Sequence, residues 1–359
     1  MRPYNIEIYS KDFDFKSHTT IGGNDPKFNY DYLDPENNKI KVMAPFDVSI
    51  YDYIRIKGND IEIWGSVTKT EAGINESKEF INITFRDIED QMNIQILVDT
   101  DEIGTGTLEK YIADRIKETF IDNSDDEQNI EGLEVQTEGS TTDWVLDITP
   151  SGEEEHYAVV NLLDDIILPA FKRDSVRVLF NFSVSEKKII AKISKNTADP
   201  IIIETQLPDV LSKTIKYKSI NKEANKVIIY NQKDYEEFET YYLHTDGTFD
   251  TVDDDRVSPV SLKIETVSSD TEEDFQSQAY DRANKTFGAN KYENLVEIEC
   301  TNDDERISPL SLEVGQVVNV IDEGNVYETI LTGKKIGETT KLIFGNVRLE
   351  LTKILKGRS

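Results

Sequence analysis

Cysteine is nearly absent from this sequence, because Cys300 is the only one in 359 residues. A single cysteine excludes an intrachain disulfide, so the covalent bridges of small secreted domains cannot hold this fold together. Cys300 ends an alternation of apolar and acidic residues at 295–300. We therefore expect it to be a buried small hydrophobe.

Long apolar runs are also missing. Residues 1–5 begin no stretch of signal-peptide length, and no run approaches the length of a membrane-spanning helix. We expect a protein made in a reducing cytoplasm, without a signal peptide and without a membrane-spanning segment.

Positive charge is scarce. The chain has 40 basic and 70 acidic residues, a net charge of -30. Such a chain will not hold nucleic acid by neutralising phosphates, so DNA could pass it without specific binding. The simpler interpretation is that the acidity keeps the protein soluble.

Residues that usually carry catalysis or bind metals are few and scattered. The three histidines, His18, His156 and His244, have no zinc-ligand spacing, and we expect them to lie on the surface or in packing contacts. No GxSxG motif is present, and Cys300 has no histidine nearby in sequence. We predict no catalytic residue, no metal and no cofactor, while a triad assembled from distant residues remains open.

Two other patterns could suggest a phosphate-binding loop and a calcium site, but both lack the required motif. The Gly104-Thr105-Gly106 stretch lacks the Gly-Lys-Ser/Thr of a phosphate-binding loop, and we interpret it as a linker. The acidic runs 122–127 and 253–255 offer oxygen ligands without the EF-hand pattern, so we expect solvated loops. Among 70 acidic residues, a carboxylate pair spaced for glycoside cleavage carries no information.

What is abundant is β pattern. Residues 53–57 and 61–64 alternate about a turn at 58–60, which predicts a hairpin, and 80–85 predict another strand.

From residue 101 the pattern changes from strand to helix. Thr107 can cap a helix, and a second helix is predicted from about residue 153, with Pro169 near its end. The predicted inner faces of these helices are Leu108, Tyr111, Ile112, Ile116 and Phe120, and Val160, Leu163, Ile167 and Ala170.

The β pattern returns in the last third of the chain. Residues 226–231, 317–320 and 327–331 predict strands, and 241–249 predict a strand that runs into an Asp-Gly turn at 246–247. Asp270 and Thr271 can cap a helix that Gly288 ends. Residues 253–262 resemble 302–312, which we interpret as matching loops on either side of one inserted domain; chance similarity is the alternative. Trp64 and Trp144 are expected in the core.

The predicted fold class is therefore α+β and mainly β, with two similar β domains and two inserted α+β domains. The first β domain is predicted at 1–100 and an α+β domain with two helices at 101–212. The second β domain is predicted from 213–250 and 313–359, and a small α+β domain from 251–312.

Several stretches also resemble a tail hub family of phages that infect Gram-positive hosts, the tail-associated lysin or prophage tail endopeptidase family. Its core is similar to the baseplate hub of T-even phages. The stretches that carry the resemblance are residues 225–231, 241–247, 256–259, 312–318 and 344–349.

The resemblance implies that the two β domains are tube-like β-barrel domains. It also implies a homotrimer that closes the distal end of the tail tube, beneath a ring of distal tail protein. Its implied partners are the distal tail protein, the tape-measure protein and a receptor-binding protein, and its implied location is the virion, assembled in the host cytoplasm. Family members often carry a C-terminal lytic domain, and this sequence ends at Ser359. We therefore expect a structural protein and not an enzyme.

Two alternatives are a tail-tip cell-wall peptidase or glycosidase, and a glycan-binding adhesin that uses some of its 16 Tyr and 2 Trp to stack on sugars.

Overall fold

A computed structural model gives the structure of the chain. It describes residues 3–22, 28–31, 38–58, 61–75, 78–142, 144, 146, 148, 156–195, 199–216, 224–244, 249–254, 261–269, 271–287 and 295–345. The chain is mostly β and includes a curled, half-barrel sheet. Two compact units are present: the first comprises Met1–Ile215 and Leu295–Gly345, and the second is built on Lys216–Asn294.

The N-terminal part of the first unit forms a six-stranded antiparallel sheet in the order β2-β1-β5-β6-β7-β4. The predicted hairpin is confirmed, since Ile56 of β5 pairs with Ile63 of β6. Alternating isoleucines point to one side of the sheet, where Ile6, Ile54 and Ile83 are fully buried. The strands are β1 (Tyr4–Tyr9), β2 (Phe15–Ile21), β3 (Phe28–Asp31), β4 (Asn38–Met43), β5 (Tyr53–Gly58), β6 (Ile61–Asn75) and β7 (Lys78–Arg86).

An α+β part follows within the same unit. Strands β8 (Gln95–Asp99) and β10 (Tyr157–Asn161) pair as a ribbon. Strands β9 (Leu133–Glu138), β11 (Val176–Ser183) and β12 (Lys188–Lys195) form a sheet in the order β11-β12-β9. Helix α1 (Leu108–Phe120) begins where Thr107 was predicted to cap it, and the Thr107 hydroxyl accepts a hydrogen bond from the Lys110 N–H. Short 3-10 helices occupy Ile88–Met92 and Thr100–Glu102.

The second predicted helix begins later than expected. Val160 lies on β10, and the chain turns helical only at Leu162–Ile167, a π-helix that continues into α2 (Leu168–Asp174). The β-branched Val159 and Val160 favour the strand, and Asn161 then caps the helix by accepting from the Asp164 N–H at 2.9 Å. Pro169 stands in the first turn of α2, where a missing N–H costs nothing.

The rest of the first unit is a seven-stranded sheet in the order β13-β20-β21-β22-β19-β14, with β3 also paired to β21. Its buried core includes Val296, Ile298, Val318 and Leu331. Because β3 comes from the N-terminal part, this sheet joins the two ends of the first unit. Its strands are β13 (Ile201–Glu204), β14 (Val210–Lys216), β19 (Leu295–Thr301), β20 (Val317–Asp322), β21 (Asn325–Ile336) and β22 (Thr339–Phe344).

The described part of the second unit contains a four-stranded sheet, ordered β17-β16-β15-β18, and one helix, α3. We expected residues 213–250 beside 313–359, but the structure pairs 226–243 with 262–267 instead. The reason is local: the central strand β15 has an antiparallel partner, β16, that begins shortly after β15 ends, and β15 is covered by α3. The elements are β15 (Lys226–Asn231), β16 (Phe238–Leu243), β17 (Phe249–Asp250), β18 (Leu262–Val267) and α3 (Glu272–Phe287).

The start of α3 agrees with the sequence prediction, since the Thr271 hydroxyl accepts a hydrogen bond from the Asp274 N–H at 3.3 Å. Asp270, Gly288 and the predicted turn at 246–247 lie outside the described residues. None of the described helices is long and apolar enough to cross a membrane.

Candidate functional site

A cavity of about 400 Å³ lies inside the first unit. Five chain segments line it: the start of β6, the 3-10 helix at Ile88–Met92, the end of β11, the loop before β20 and part of β21. It is thus formed by segments that are far apart in sequence. Its lining residues are Ile61–Trp64, Ile88, Glu89, Leu179–Phe182, Leu310–Val314, Lys334 and Ile336.

Lys334 is a partly buried charged group in the lining of this cavity. Its ammonium donates hydrogen bonds to the carbonyl oxygens of Leu310, at 3.1 Å, and Leu312, at 2.6 Å. Burial lowers the pKa of Lys334 to about 8, although the nearby negative charge of Glu313 acts in the opposite direction. The amine therefore holds the 310–312 loop to β21 and is partly neutral near physiological pH.

Arg177 fixes the other end of the same loop. Its guanidinium donates to the Val314 carbonyl at 3.0 Å and lies 3.6 Å from the Glu313 carboxylate. Gly315 follows with φ +84°, and a Cβ there would lie 2.7 Å from Cδ of Arg177. Two cations from different sheets thus bind the backbone of one loop.

An aromatic cluster forms one wall of the cavity. Trp64 and Phe182 stack with ring centroids 4.6 Å apart and planes 2° from parallel. Trp64 also contacts Tyr9, at 5.7 Å between centroids, and the guanidinium of Arg55, at 5.4 Å. A sugar-binding platform needs an open ring face. Phe182 occupies one face of the indole, so the cluster serves to pack β11 against the N-terminal sheet. Trp64 is half-buried and thus less buried than predicted, whereas Trp144 lies in the core as predicted.

The three histidines lie on separate elements. His18 is on β2, opposite Glu7 of β1. His156 is largely exposed and its Nδ1 lies 2.9 Å from Oδ2 of Asp101. His244 follows β16 in the second unit. Among the described residues, no group of three or more His, Cys, Asp or Glu side chains is arranged to hold a metal ion.

The side chain of His244 is nearly buried and hydrogen-bonded. Its side chain is only 8% exposed, with Nε2 3.1 Å from an Asp250 carboxylate oxygen and Nδ1 2.7 Å from the Asp254 carbonyl oxygen. The hydrogen bond with Asp250 and the one with the Asp254 carbonyl raise the pKa of His244 above its usual value, despite the opposing effect of burial. The ring therefore ties the 250–254 segment to the end of β16.

Cys300 is fully buried, as predicted, with its Sγ 3.6 Å from the Thr340 carbonyl oxygen. Burial raises the pKa of its thiol to about 12. A thiolate is the reactive form of cysteine, so this environment opposes nucleophilic chemistry.

The glycine stretch and the first acidic run form local turns. Gly104 and Gly106 both have positive φ, and the Thr105 N–H donates to the Glu102 carbonyl, which places Thr107 to cap α1. In the acidic loop, side-chain oxygens of Asn123 and Asp125 accept from the backbone N–H groups two residues on. In the second run, Asp255 lies outside the described residues.

Sequence reasoning missed the cavity and the role of Lys334. The contacts of Lys334 join residues 22 and 24 positions apart, and the Trp64–Phe182 stack joins residues 118 apart. The one sequence sign was a pair of lysines that follows Gly333 and lies between the apolar Leu331 and Ile336.

Comparison with known proteins gave matches in structure alone. No protein-family model matches the chain, and no curated protein sequence matches it. The 43 kDa tail protein of prophage MuSo2 from Shewanella oneidensis matches with a TM-score of 0.55 at 12% identity, over 96% of this chain and 98% of that one.

Two further matches also span nearly whole chains. A tail protein from Neisseria meningitidis matches with a TM-score of 0.52 at 13% identity, over 96% of each chain. A chain of the phage P2 baseplate, in its activated conformation with calcium, matches with a TM-score of 0.50 at 12% identity, over 97% of this chain and all of that one. The chain therefore has the fold of these phage tail and baseplate proteins.

Proposed function

We propose that this protein is the structural hub of a bacteriophage tail tip or baseplate. The observation that carries the proposal is the match in fold, over 96% or more of both chains, to phage tail and baseplate proteins. A match over a domain alone would fit many functions, whereas one over whole chains favours a shared architectural role.

In this proposal three copies form a ring that closes the tail tube. Its two tube-like β domains would be built on the six-stranded sheet and on the seven-stranded sheet of the first unit. The ring would sit beneath the distal tail protein, with a receptor-binding protein nearby, in phages of Gram-positive hosts. The acidic chain would line the path of the tape-measure protein and let DNA pass without binding.

Antibodies raised against the purified chain test this placement. On negatively stained phage particles, the antibodies should label the distal end of the tail. Labelling of the head or of the tube wall, or none on intact and tip-exposed particles, would contradict the proposal.

A cell-wall hydrolase is the main alternative function. In the cavity, the Lys334 ammonium donates to backbone carbonyls, and the Glu62 carboxylate accepts from Arg55 and from the Trp64 indole. These polar groups are therefore engaged in structural hydrogen bonds. We expect no clearing in zymograms of host cell walls. Clearing that disappears when a single carboxylate is replaced would overturn the structural assignment.

A further inference from the structure

The imidazole of His244 lies between two oxygen atoms of one stretch of chain, the 250–254 segment. Its Nε2 is 3.1 Å from a carboxylate oxygen of Asp250, and its Nδ1 is 2.7 Å from the backbone carbonyl oxygen of Asp254. An ionised carboxylate and a carbonyl have no proton to donate, so each can only accept a hydrogen bond. Both ring nitrogens therefore have to be donors.

Only the imidazolium form of His244 can make both hydrogen bonds. A neutral imidazole has one N–H group, and its other nitrogen presents a lone pair. That lone pair would face either the Asp250 carboxylate or the Asp254 carbonyl, in a side chain that is only 8% exposed to water. A polar atom buried without a partner destabilises the arrangement, so the geometry favours the charged ring.

The charged groups around the ring act mainly in the same direction. The Asp254 carboxylate lies 3.8 Å from Nδ1, in addition to the Asp250 carboxylate at Nε2. On the adjacent strand β15, Lys226 places its ammonium 5.2 Å from the centroid of the Tyr242 ring, two residues before His244. The hydrogen bond with Asp250 and the negative charges nevertheless raise the pKa of His244.

The 250–254 segment begins on a very short strand. β17 has two residues, which pair with the end of β16. The ring of Phe249 is anchored separately, since it contacts the rings of Tyr241, Tyr280 and Phe287 at centroid distances between 5.2 and 6.0 Å. Residues 251–254 are exposed. The bonds to the imidazole therefore attach the exposed part of the segment, and the contacts of Phe249 hold its start.

We propose that His244 is a proton-controlled latch, which closes the 250–254 segment onto the end of β16 as an imidazolium and releases it on losing one proton. Deprotonation removes at least one of the two N–H···O bonds. Opening is confined to the segment, because the contacts of Phe249 and the β15–β16 pairing do not involve the imidazole. The latch belongs to the second unit and does not depend on the proposed hub.

The latch is closed within a bounded range of pH. As the pH rises through the raised folded value of His244, the imidazolium loses a proton and the segment is released. At the acidic end, hydrogen bonds from the Val252 N–H and the imidazole lower the pKa of Asp250, so the carboxylate acceptor is lost only below its usual value. The segment should therefore be closed from about pH 4 to about pH 6.5, the ordinary values of the two groups.

A spin label in the segment tests the latch in the full chain. In a Cys300→Ala background, Val252→Cys places the label at a side chain that is 53% exposed, where it displaces no packed group. Its electron paramagnetic resonance spectrum should show an ordered segment at about pH 5.5 and gain a mobile component toward about pH 9. The ratio of open to closed segment should rise about tenfold for each unit by which the folded pKa exceeds the unfolded one.

The pH response of the label should disappear in His244→Gln, which cannot acquire a charge. The label should then be mobile at both pH values, with a circular dichroism spectrum like that of the wild type. His156→Gln is the matched control, since it removes an exposed histidine that also lies 2.9 Å from a carboxylate, that of Asp101. A label on the wild-type ring that behaves alike at both pH values, or a response that persists in folded His244→Gln, would overturn the latch.

Nitrogen NMR of the imidazole tests the protonation state without altering His244. Two-bond ¹H–¹⁵N spectra distinguish an imidazolium from either neutral tautomer. Both nitrogens of His244 should remain protonated at about pH 7, half a unit above the ordinary histidine value, and the loss of one proton should coincide in pH with release of the label. A closed segment on a neutral ring would overturn the proposal.

Discussion

Gly132 and Gly106 share a left-handed backbone conformation, with φ of +70° and +68°, but differ in their surroundings. A Cβ on Gly132 would overlap the carbonyl oxygen of Lys187, whereas Gly106 has nothing within 4 Å. Gly132→Ala should therefore lower the free energy of unfolding by about 2–4 kcal/mol, and Gly106→Ala by only about 1 kcal/mol. Urea denaturation of both variants measures the difference, and equal losses would show that the overlap is relieved.

His244 should make the second unit sensitive to pH. Its raised pKa means that the folded chain binds a proton more tightly than the unfolded chain does. The stabilisation is fully present below the unfolded value of about 6.5 and is lost as the pH rises through the higher folded value.

Replacing the carboxylate partner tests this assignment. In Asp250→Asn the pKa of His244 should fall toward its ordinary value, because its main hydrogen-bonded partner is then uncharged. NMR titration of the imidazole proton signals measures both proteins. Superimposable His244 titration curves would show that Asp250 does not hold the ring.

Lys334 should give a pH dependence in the alkaline range. Its folded pKa of about 8 lies below the ordinary 10.5, so its charge destabilises the fold below pH 8. That penalty, on the order of 3 kcal/mol, is relieved as the pH rises from 8 to 10.5. Wild-type stability should thus rise relative to Lys334→Met across this window, in urea titrations at pH 7.5 and 10; a constant difference would contradict the assigned pKa.

At the scale of single elements, Thr107 is a helix cap that was predicted from sequence and is present in the structure. Thr107→Ala should lower the free energy of unfolding by about 1 kcal/mol, because the Lys110 N–H loses its acceptor. Thr107→Ser retains the hydroxyl and serves as the control. Thermal unfolding followed at 222 nm measures the three proteins, and an unchanged Thr107→Ala midpoint would mean that the cap contributes nothing.

Elements with strong periodicity were predictable from sequence. The β5–β6 hairpin and the start of α1 follow from alternation and capping residues that act within a few positions. Val160 was predicted on a helix because its apolar spacing fits a helix as well as a strand. It lies on a strand, which its β-branched neighbour Val159 favours.

The pairing of strands that are far apart in the chain could not be predicted from the sequence. The sequence carries no local sign that β3 pairs with β21, some 300 residues away, or that β15 pairs with β18 and not with the C-terminal strands. The cavity depends on such pairings, since it lies where β6, β11 and β21 meet. The partial burial of the Lys334 amine could not be predicted, because it depends on how the sheets pack.

At the scale of the whole molecule, the excess of acidic residues is the dominant property of the sequence. A net charge of -30 favours solubility and opposes the binding of nucleic acid. In the proposed hub, a ring of such chains would admit DNA without holding it.

The mass of the purified chain, measured with and without its distal tail protein, tests the hub proposal most directly. We expect three copies of the 41.0 kDa chain alone and a discrete larger complex when the distal tail protein is added. A chain that stays monomeric at high concentration and does not bind the distal tail protein would contradict the assignment as a tail hub.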